Sequence, residues 1–257
     1  MTQDEKKSIL RIALYAGEIL LKNGAETYRT EDTINIICRA KGLKHVNSFV
    51  TPTGIFVSDD RLDGISFIKR IKRRTINLSK ISQVNNFARK FVEIDMGEKE
   101  AVLELRRIEK AGKYSKNART FFTGLAAAFF SLLFGAGIRD FMAAFLISII
   151  AIKLNWKIEK MSNASFLANA TSGALIAILT LLSKSIGFGE SIDMIIVGAI
   201  MPLVPGVALT NGLRDFISGD LIAGTSRVAE AILIAISIAV GVGTILKLWM
   251  HLFGGVF

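Results

Sequence analysis

The sequence has 257 residues, of which 51% are hydrophobic, and it carries a formal net charge of +10. Its mean hydropathy of +0.45 excludes an ordinary soluble domain. Its one cysteine, Cys38, excludes an internal disulfide, and with only two histidines it excludes a metal site of the Cys/His type.

The charge is concentrated in the first half of the chain. Residues 1–119 contain 24 of the 32 Lys and Arg residues and 15 of the 22 Asp and Glu residues. The remainder is a run of apolar segments, each near the ~20 residues that a helix needs to cross a membrane. The sequence therefore predicts an α-helical membrane protein with about five transmembrane helices, residues 119–257, and an N-terminal cytoplasmic α+β head domain, residues 1–118. The excess of Lys and Arg on cytoplasmic faces explains the positive charge, so no nucleic-acid partner is predicted.

The head begins with two predicted helices, residues 9–20 and 26–41, because apolar residues recur at helical spacing on both sides of the helix-stop pair Asn23-Gly24. Three stretches rich in β-branched and aromatic residues then predict an antiparallel meander. Two amphipathic helices follow. In chain order these elements are strands at 45–50, 53–58 and 65–71, with a turn at Asp59–Gly64, and helices at 79–94 and 98–108.

No catalytic arrangement stands out in the head. His45 lies near several hydroxyl side chains, but their spacing matches no nucleophile–base motif. Charged residues crowd the first two helices in a pattern typical of a structural or solvated network, and the basic run Lys69–Arg74 is typical of a solvated or lipid-facing surface. The sequence therefore predicts neither an enzyme nor a cofactor. The crowded charged residues are Glu18, Glu26, Arg29, Glu31 and Asp32.

Five apolar segments are predicted to cross the membrane. Lys and Arg in the short loops place the head inside and the C-terminus outside, which predicts a multi-pass protein of the cell inner membrane. In the last segment, small residues recur every four positions and predict a face that packs closely against another helix. The segments are approximately 120–137, 141–156, 164–182, 192–213 and 229–250, and the small residues are Ala231, Ala235, Ala239 and Gly243.

The fourth segment contains Pro202 and Pro205, and Gly206 follows directly. Each proline lacks a backbone N–H and its ring clashes with the preceding turn, so a helix must break here. Freed carbonyls persist at membrane depth only where protein buries them or where they line a wet cavity. The break has two interpretations, a packing kink or a substrate site of the kind that secondary transporters build at broken helices. Two prolines three residues apart favour the substrate site.

Most of the predicted substrate-binding residues lie around this break. Arg214 is a candidate for a substrate carboxylate because its planar fork suits bidentate pairing. Asp215, Asp220 and Glu230 are candidates for an ammonium group or a coupling proton. Each of these charges also has a local alternative, as a loop residue or in a structural ion pair. The other predicted substrate-binding residues are Pro202, Pro205, Gly206, Thr210 and Asn211 near the break, and Asn169 and Thr171 in the third segment.

Three runs of residues have a recognisable pattern, namely Asn23–Glu31, Gly97–Ile108 and Met201–Asp215, the last followed by Gly219-Asp220. They resemble the threonine/serine exporter family, and specifically the larger, soluble-head subunit of its split, two-component form. The resemblance implies export of serine and threonine, or of a dicarboxylate such as succinate, with the proton gradient as the energy source. The long single-chain form has a second membrane half that the five predicted spans do not supply. The expected partner is therefore a small all-membrane subunit of the same family, with self-association as the alternative.

A second function remains open from the residues alone. The chain could be a non-transporting membrane scaffold or sensor whose cytosolic head binds a ligand. A sensor needs only passive spans, whereas the third and fourth predicted spans contain polar residues and a broken backbone. Transport is therefore the leading hypothesis.

Overall fold

The computed structural model describes residues 1–60, 64–94, 96–112, 114–162 and 164–254. Part of the predicted turn at Asp59–Gly64, residues 61–63, lies outside the described residues. Contacts divide the chain into two compact units. The first unit consists of Met1–Gly112 with Val207–Ala229, and the second consists of Lys113–Gly206 with Glu230–Phe257. The head boundary near residue 118 stays a prediction.

The first 112 residues contain the predicted elements in the predicted order. Two helices are followed by three strands and two further helices. Each observed boundary lies within a few residues of the expected one, except that the first helix begins six residues earlier. The elements are α1 (Gln3–Lys22), α2 (Thr27–Ala40), β1 (Val46–Thr51), β2 (Gly54–Asp59), β3 (Ser66–Arg70), α3 (Leu78–Glu93) and α4 (Glu98–Lys110).

The remaining elements are helical. The α-helices are joined at one point by a short 3₁₀ turn, at the position of the two prolines. The described chain is therefore mostly helical, with one small sheet, as expected of a helical membrane protein with an α+β segment. The elements are α5 (Lys116–Leu133), α6 (Ile138–Ser162), α7 (Ser165–Ser185), α8 (Ile192–Ile200), the 3₁₀ turn Met201–Leu203, α9 (Gly206–Ile217) and α10 (Leu221–Phe253).

Local signals explain where α1 begins and ends. Thr2 and Glu5 form a reciprocal capping box, which supplies partners to two N–H groups that the helix leaves unpaired. At the other end Gly24 has a φ of 92°, a left-handed conformation that glycine adopts without strain. The predicted helix-stop pair Asn23-Gly24 is thereby confirmed.

The three strands form an antiparallel sheet in the order β1-β2-β3, as predicted. Val50 lies opposite Ile55 in the first pairing, and both are buried together with Val57. The opposite face is open, because Phe49 and Phe56 are cross-strand partners and both are exposed. The sheet therefore covers the helical core of the first unit with one face only.

In the second unit the helices approach closely where glycine removes a side chain. A Cβ on Gly198 of α8 would lie 2.8 Å from the carbonyl oxygen of Ala127 in α5. A Cβ on Gly124 of α5 would lie 3.0 Å from the carbonyl oxygen of Phe145 in α6. Any larger residue at either position would push two helices apart. The apolar core of this unit is formed by α6, α7 and α8.

Three of the described helices are long and apolar enough to cross a membrane, namely α6, α7 and α10. The interrupted pair of α8 with its 3₁₀ turn and α9 counts as a fourth if it is one span. The helix α5 does not reach the same hydropathy because Lys116 and Arg119 lie in its first turns and it ends at Leu133. The protein is thus a helical membrane protein, and the count of five spans stays a prediction.

Of the predicted packing face of α10 only Ala231 is buried within this chain, so packing of the other three residues against a helix stays a prediction. Ala235, Ala239 and Gly243 are exposed. The close approach is made instead by Gly241, whose Cα faces the backbone of Ala170 in α7. Residues four apart are separated by about 400° around a helix, so a four-residue repeat drifts by about 40° per step and leaves the buried face.

Candidate functional site

The predicted break in the fourth segment is confirmed. The helix α8 ends at Ile200, a 3₁₀ turn covers Met201–Leu203, and Val204 is extended before α9 begins. The chain bridges the gap with backbone bonds from Val204 N–H to the Met201 carbonyl and from Gly206 N–H to the Val204 carbonyl. The two prolines therefore end one helix and allow another to begin, within a stretch that is half-buried to exposed.

After the break, α9 directs polar side chains at the loop between α1 and α2. Asn211 is buried, and its side-chain amide donates a 2.8 Å hydrogen bond to the carbonyl oxygen of Gly24. All of these residues belong to the first unit. The predicted site residue Asn211 is thus bonded to the Asn23–Glu31 run.

Asp215 is fully buried and caps α2 from a distant part of the chain. Its Oδ1 accepts hydrogen bonds from the Thr27 backbone N–H at 3.1 Å and the Thr27 hydroxyl at 2.8 Å. Thr27 is the first residue of α2, and the preceding Glu26 provides no side-chain cap. A helix N-terminus has unpaired N–H groups and a positive dipole, so a carboxylate is a favourable partner there.

A buried arginine balances this carboxylate. Nε of Arg227 in α10 lies 2.9 Å from Oδ2 of Asp215, and both side chains are at most 5% exposed. The same guanidinium donates from Nη2 to the carbonyl oxygen of Ala25 at 2.7 Å. The helices can come this close because a Cβ on Gly212 would lie only 3.2 Å from Cβ of Arg227. Asp215 and Arg227 therefore join α9, α10 and the start of α2 in one network.

Arg214 forms a second ion pair with the same loop. Its Nη1 lies 2.7 Å from Oε1 of Glu26, while Nη1 of Arg29 lies 3.5 Å from Oε2. Burial alone would raise the pKa of Glu26, but hydrogen bonds from its own backbone N–H and from Arg214, with the charge of Arg29, outweigh burial and lower it. Glu26 is consequently a carboxylate at neutral pH.

Two further carboxylates lie at this end of α2. Asp220 accepts from the Thr27 hydroxyl at 3.2 Å, and Oε1 of Glu31 accepts from the Val50 backbone N–H at 2.7 Å. Burial raises the pKa of Glu31, and the charges of Asp220, Asp32 and Asp215 add to this effect against the Val50 bond. The surroundings of Thr27 are therefore rich in negative charge.

The other predicted site residues lie elsewhere. Asn169 in α7 accepts a 2.9 Å hydrogen bond from the amide of Asn155 in α6, and both residues are buried in the second unit. The Thr171 hydroxyl donates to the carbonyl of Leu167 in its own helix. Thr210 and Glu230 are exposed. The predicted set thus divides into the break, the α9 network and the α7 residues.

Sequence reasoning assigned no role to several residues that the structure places in buried polar contacts. Thr27 and Arg227 complete the Asp215 network, and Asn155 pairs with Asn169. Asp140 is 2% exposed and accepts from the backbone N–H groups of Glu190 and Ser191 at 2.7 and 3.1 Å. The only available signal for Thr27 was its place in the Asn23–Glu31 run. Within the described ranges, no group of three or more His, Cys, Asp or Glu side chains is arranged to hold a metal ion.

Comparisons with known proteins agree with the resemblance. The model of the threonine/serine exporter family ThrE matches residues 11–249. A protein of Klebsiella aerogenes named "Probable succinate transporter subunit YjjP" is 22% identical over an alignment of 263 positions, which covers 96% of each chain. Its namesake in Escherichia coli is 22% identical over 97% of this chain and 98% of its own length. The "Threonine/serine exporter" of Corynebacterium glutamicum is 23% identical over 91% of this chain but 50% of its own length. No solved structure matches.

Proposed function

Because the chain belongs to the threonine/serine exporter family, we propose that it is the larger subunit of a secondary transporter that exports small hydrophilic metabolites across the cell inner membrane. The substrates of the proposal are serine and threonine or a dicarboxylate such as succinate, and the energy source is the proton gradient. The names of the relatives support both substrate classes, since two are named for succinate and one for threonine and serine.

The proposal includes a second polypeptide. The chain matches nearly the full length of two proteins that are named transporter subunits. It matches only half of the Corynebacterium glutamicum exporter. A small all-membrane subunit of the same family would supply the part of the long form that this chain does not match, and self-association is the alternative.

The observation that carries the proposal is the interrupted helix. Between Leu203 and Gly206 the backbone leaves the helical conformation inside an otherwise apolar pair of helices. Carbonyls and helix ends freed in this way can bind a polar solute where lipid cannot. In the proposed site Pro202, Pro205 and Gly206 shape the break. On its cytoplasmic side Thr210, Asn211 and Arg214 contact the substrate.

The remaining site assignments follow from charge. Asp215, Asp220 and Glu230 are proposed to hold an ammonium group or the coupling proton. Asn169 and Thr171 are the weakest members of the proposed set. Asn169 is hydrogen-bonded to Asn155, and the Thr171 hydroxyl is hydrogen-bonded to carbonyls of its own helix. Mutation of these two should therefore affect transport less than mutation of the break.

The chain offers a matched control for testing the break, because it has three prolines and the third, Pro52, lies between β1 and β2. The experiment reconstitutes the chain in vesicles, with and without a small all-membrane partner. Efflux of labelled serine, threonine and succinate is then measured under an imposed pH gradient. Pro202→Ala and Pro205→Ala should abolish efflux while membrane insertion is kept, and Pro52→Ala should leave efflux unchanged. Normal efflux in both break variants would rule out the proposed site.

A further inference from the structure

One carboxylate in the first unit is shared by two arginines from different helices. Oε1 of Glu26 lies 2.7 Å from Nη1 of Arg214 in α9, and Oε2 lies 3.5 Å from Nη1 of Arg29 in α2. Each oxygen thus faces a different guanidinium. This arrangement is that of a carboxylate held by a pair of arginines, with a side chain of the protein as the carboxylate.

The two cations can be reached from solution although the carboxylate is covered. The Glu26 side chain is 7% exposed, whereas the side chains of Arg29 and Arg214 are 46% and 56% exposed. A guanidinium has five N–H donors, and Arg214 uses one of them in its hydrogen bond to Glu26. A dissolved carboxylate therefore has both access to the arginines and donors with which to pair.

The neighbouring ion pair of Asp215 with Arg227 is buried, and it also has a structural role. Asp215 and Arg227 are at most 5% exposed, and Asp215 also holds the N-terminus of α2. Breaking a buried pair leaves an uncompensated charge, which is strongly unfavourable. In the Arg214–Glu26 pair the carboxylate is covered but the arginine is half-exposed, so solvent screens the pair and another anion can reach the guanidinium. Of the two pairs, only the one with Glu26 is suited to repeated opening.

We propose that Arg29 and Arg214 form a binding site for the carboxylate group of a small solute, and that Glu26 occupies this site as an internal stand-in which the solute displaces. The identity of the solute as an exported metabolite rests on the function proposed above. Binding itself does not depend on transport. Glu26 lowers the apparent affinity because the solute must compete with it, and it offsets one of the two positive charges when no solute is bound.

Binding to the purified full chain tests this proposal. Calorimetric titration at low ionic strength uses succinate and serine as the two probes. Glu26→Gln should tighten succinate binding by about fivefold, because the carboxylate that competes for the two arginines is removed. Arg214→Gln and Arg29→Gln should each weaken it by at least about fivefold. Glu26→Asp, whose shorter side chain reaches less well, should give a smaller gain and provides a second variant if Glu26→Gln does not fold.

Matched controls separate a site from a general effect of charge. Asp32→Asn removes an exposed carboxylate from the same helix, and Arg39→Gln removes an exposed cation from it. Both should leave the affinities within about twofold of the unmodified chain. Equal gains in Glu26→Gln and Asp32→Asn would overturn the proposal, and so would the failure of both Glu26 variants to bind either probe more tightly.

The outcomes also separate this site from the proposed function. If Glu26→Gln binds succinate more tightly but no variant or partner gives efflux, the binding site stands and the export function fails. If the chain exports its substrate and the Glu26 variants bind it unchanged, export stands and the stand-in is refuted.

Discussion

Removal of the Asp215 carboxylate should destabilise the first unit far more than removal of any exposed charge. In Asp215→Ala the guanidinium of Arg227 stays buried without the carboxylate that lies 2.9 Å away. The first N–H of α2 also loses its acceptor. Two separate effects therefore act in the same direction.

The magnitude follows from these contacts. Breaking a buried ion pair by removing one partner costs about 3–5 kcal/mol. Losing a helix cap costs about 1 kcal/mol. Because the two contacts share one side chain and are not additive, we expect about 4 kcal/mol in total. For a chain of this size, each kcal/mol lowers the melting temperature by about 2–4 °C, so Asp215→Ala should melt about 8–16 °C earlier.

The single cysteine provides the assay. Cys38 lies in the core of the first unit, and burial raises its pKa to about 12, so a thiol-reactive fluorogenic dye reacts only after this unit opens. Fluorescence is followed during heating of the full chain in one detergent. Glu190→Ala, which breaks the exposed pair with Arg139, is the control and should change the melting temperature by no more than about 3 °C.

A double variant tests the cause. Asp215→Leu combined with Arg227→Leu removes both buried charges, and replacing a whole buried pair by apolar residues is often neutral. The double variant should therefore melt closer to the unmodified chain than either single variant does. If Asp215→Ala melts together with Glu190→Ala, the ion pair does not hold the first unit together and the reasoning is refuted.

Two further predictions concern other carboxylates. Because the pKa of Glu31 is raised in the folded chain, its contribution to stability is present below the unfolded pKa of about 4.3 and is lost as pH rises through the folded pKa. Glu31→Gln lacks this titration, so between pH 4 and pH 7 its melting temperature should rise relative to that of the unmodified chain. Asparagine at position 140 keeps an acceptor for the N–H groups of Glu190 and Ser191, whereas alanine does not. Asp140→Asn should therefore retain most of the folded yield in detergent, and Asp140→Ala should lose it. Equal yields of the two variants would show that these hydrogen bonds are not what Asp140 contributes.

The elements of the first 112 residues could be predicted because their signals are local. The periodicity of apolar residues in α1 and α3 and the left-handed Gly24 are properties of a few neighbouring residues. The break at Pro202 and Pro205 was equally predictable, since proline acts on its own turn. The antiparallel pairing of β1 with β2 was predictable from the short connection between them.

The network around Asp215 could not be predicted in this way. Thr27 and Asp215 are 188 positions apart, and Ala25 and Arg227 are 202 positions apart. No spacing rule joins residues at such separations. From the sequence, Asp215 was a candidate for a coupling charge or a local pair, and the structure adds its role as the cap of α2. That role does not exclude a coupling function, but it means that any proton or ammonium at Asp215 would compete with the N-terminus of α2 and with Arg227.

The chain on each side of the break makes its own contact with a buried aspartate. The boundary between the two compact units falls between Gly206 and Val207, directly after Pro205. The helix α8 belongs to the second unit, where the chain just before it is held by Asp140, and α9 belongs to the first, where Asp215 binds it to α2. Each helix thus has its own buried aspartate contact, so replacing Pro202 or Pro205 should change the backbone of the break without unfolding α8 or α9.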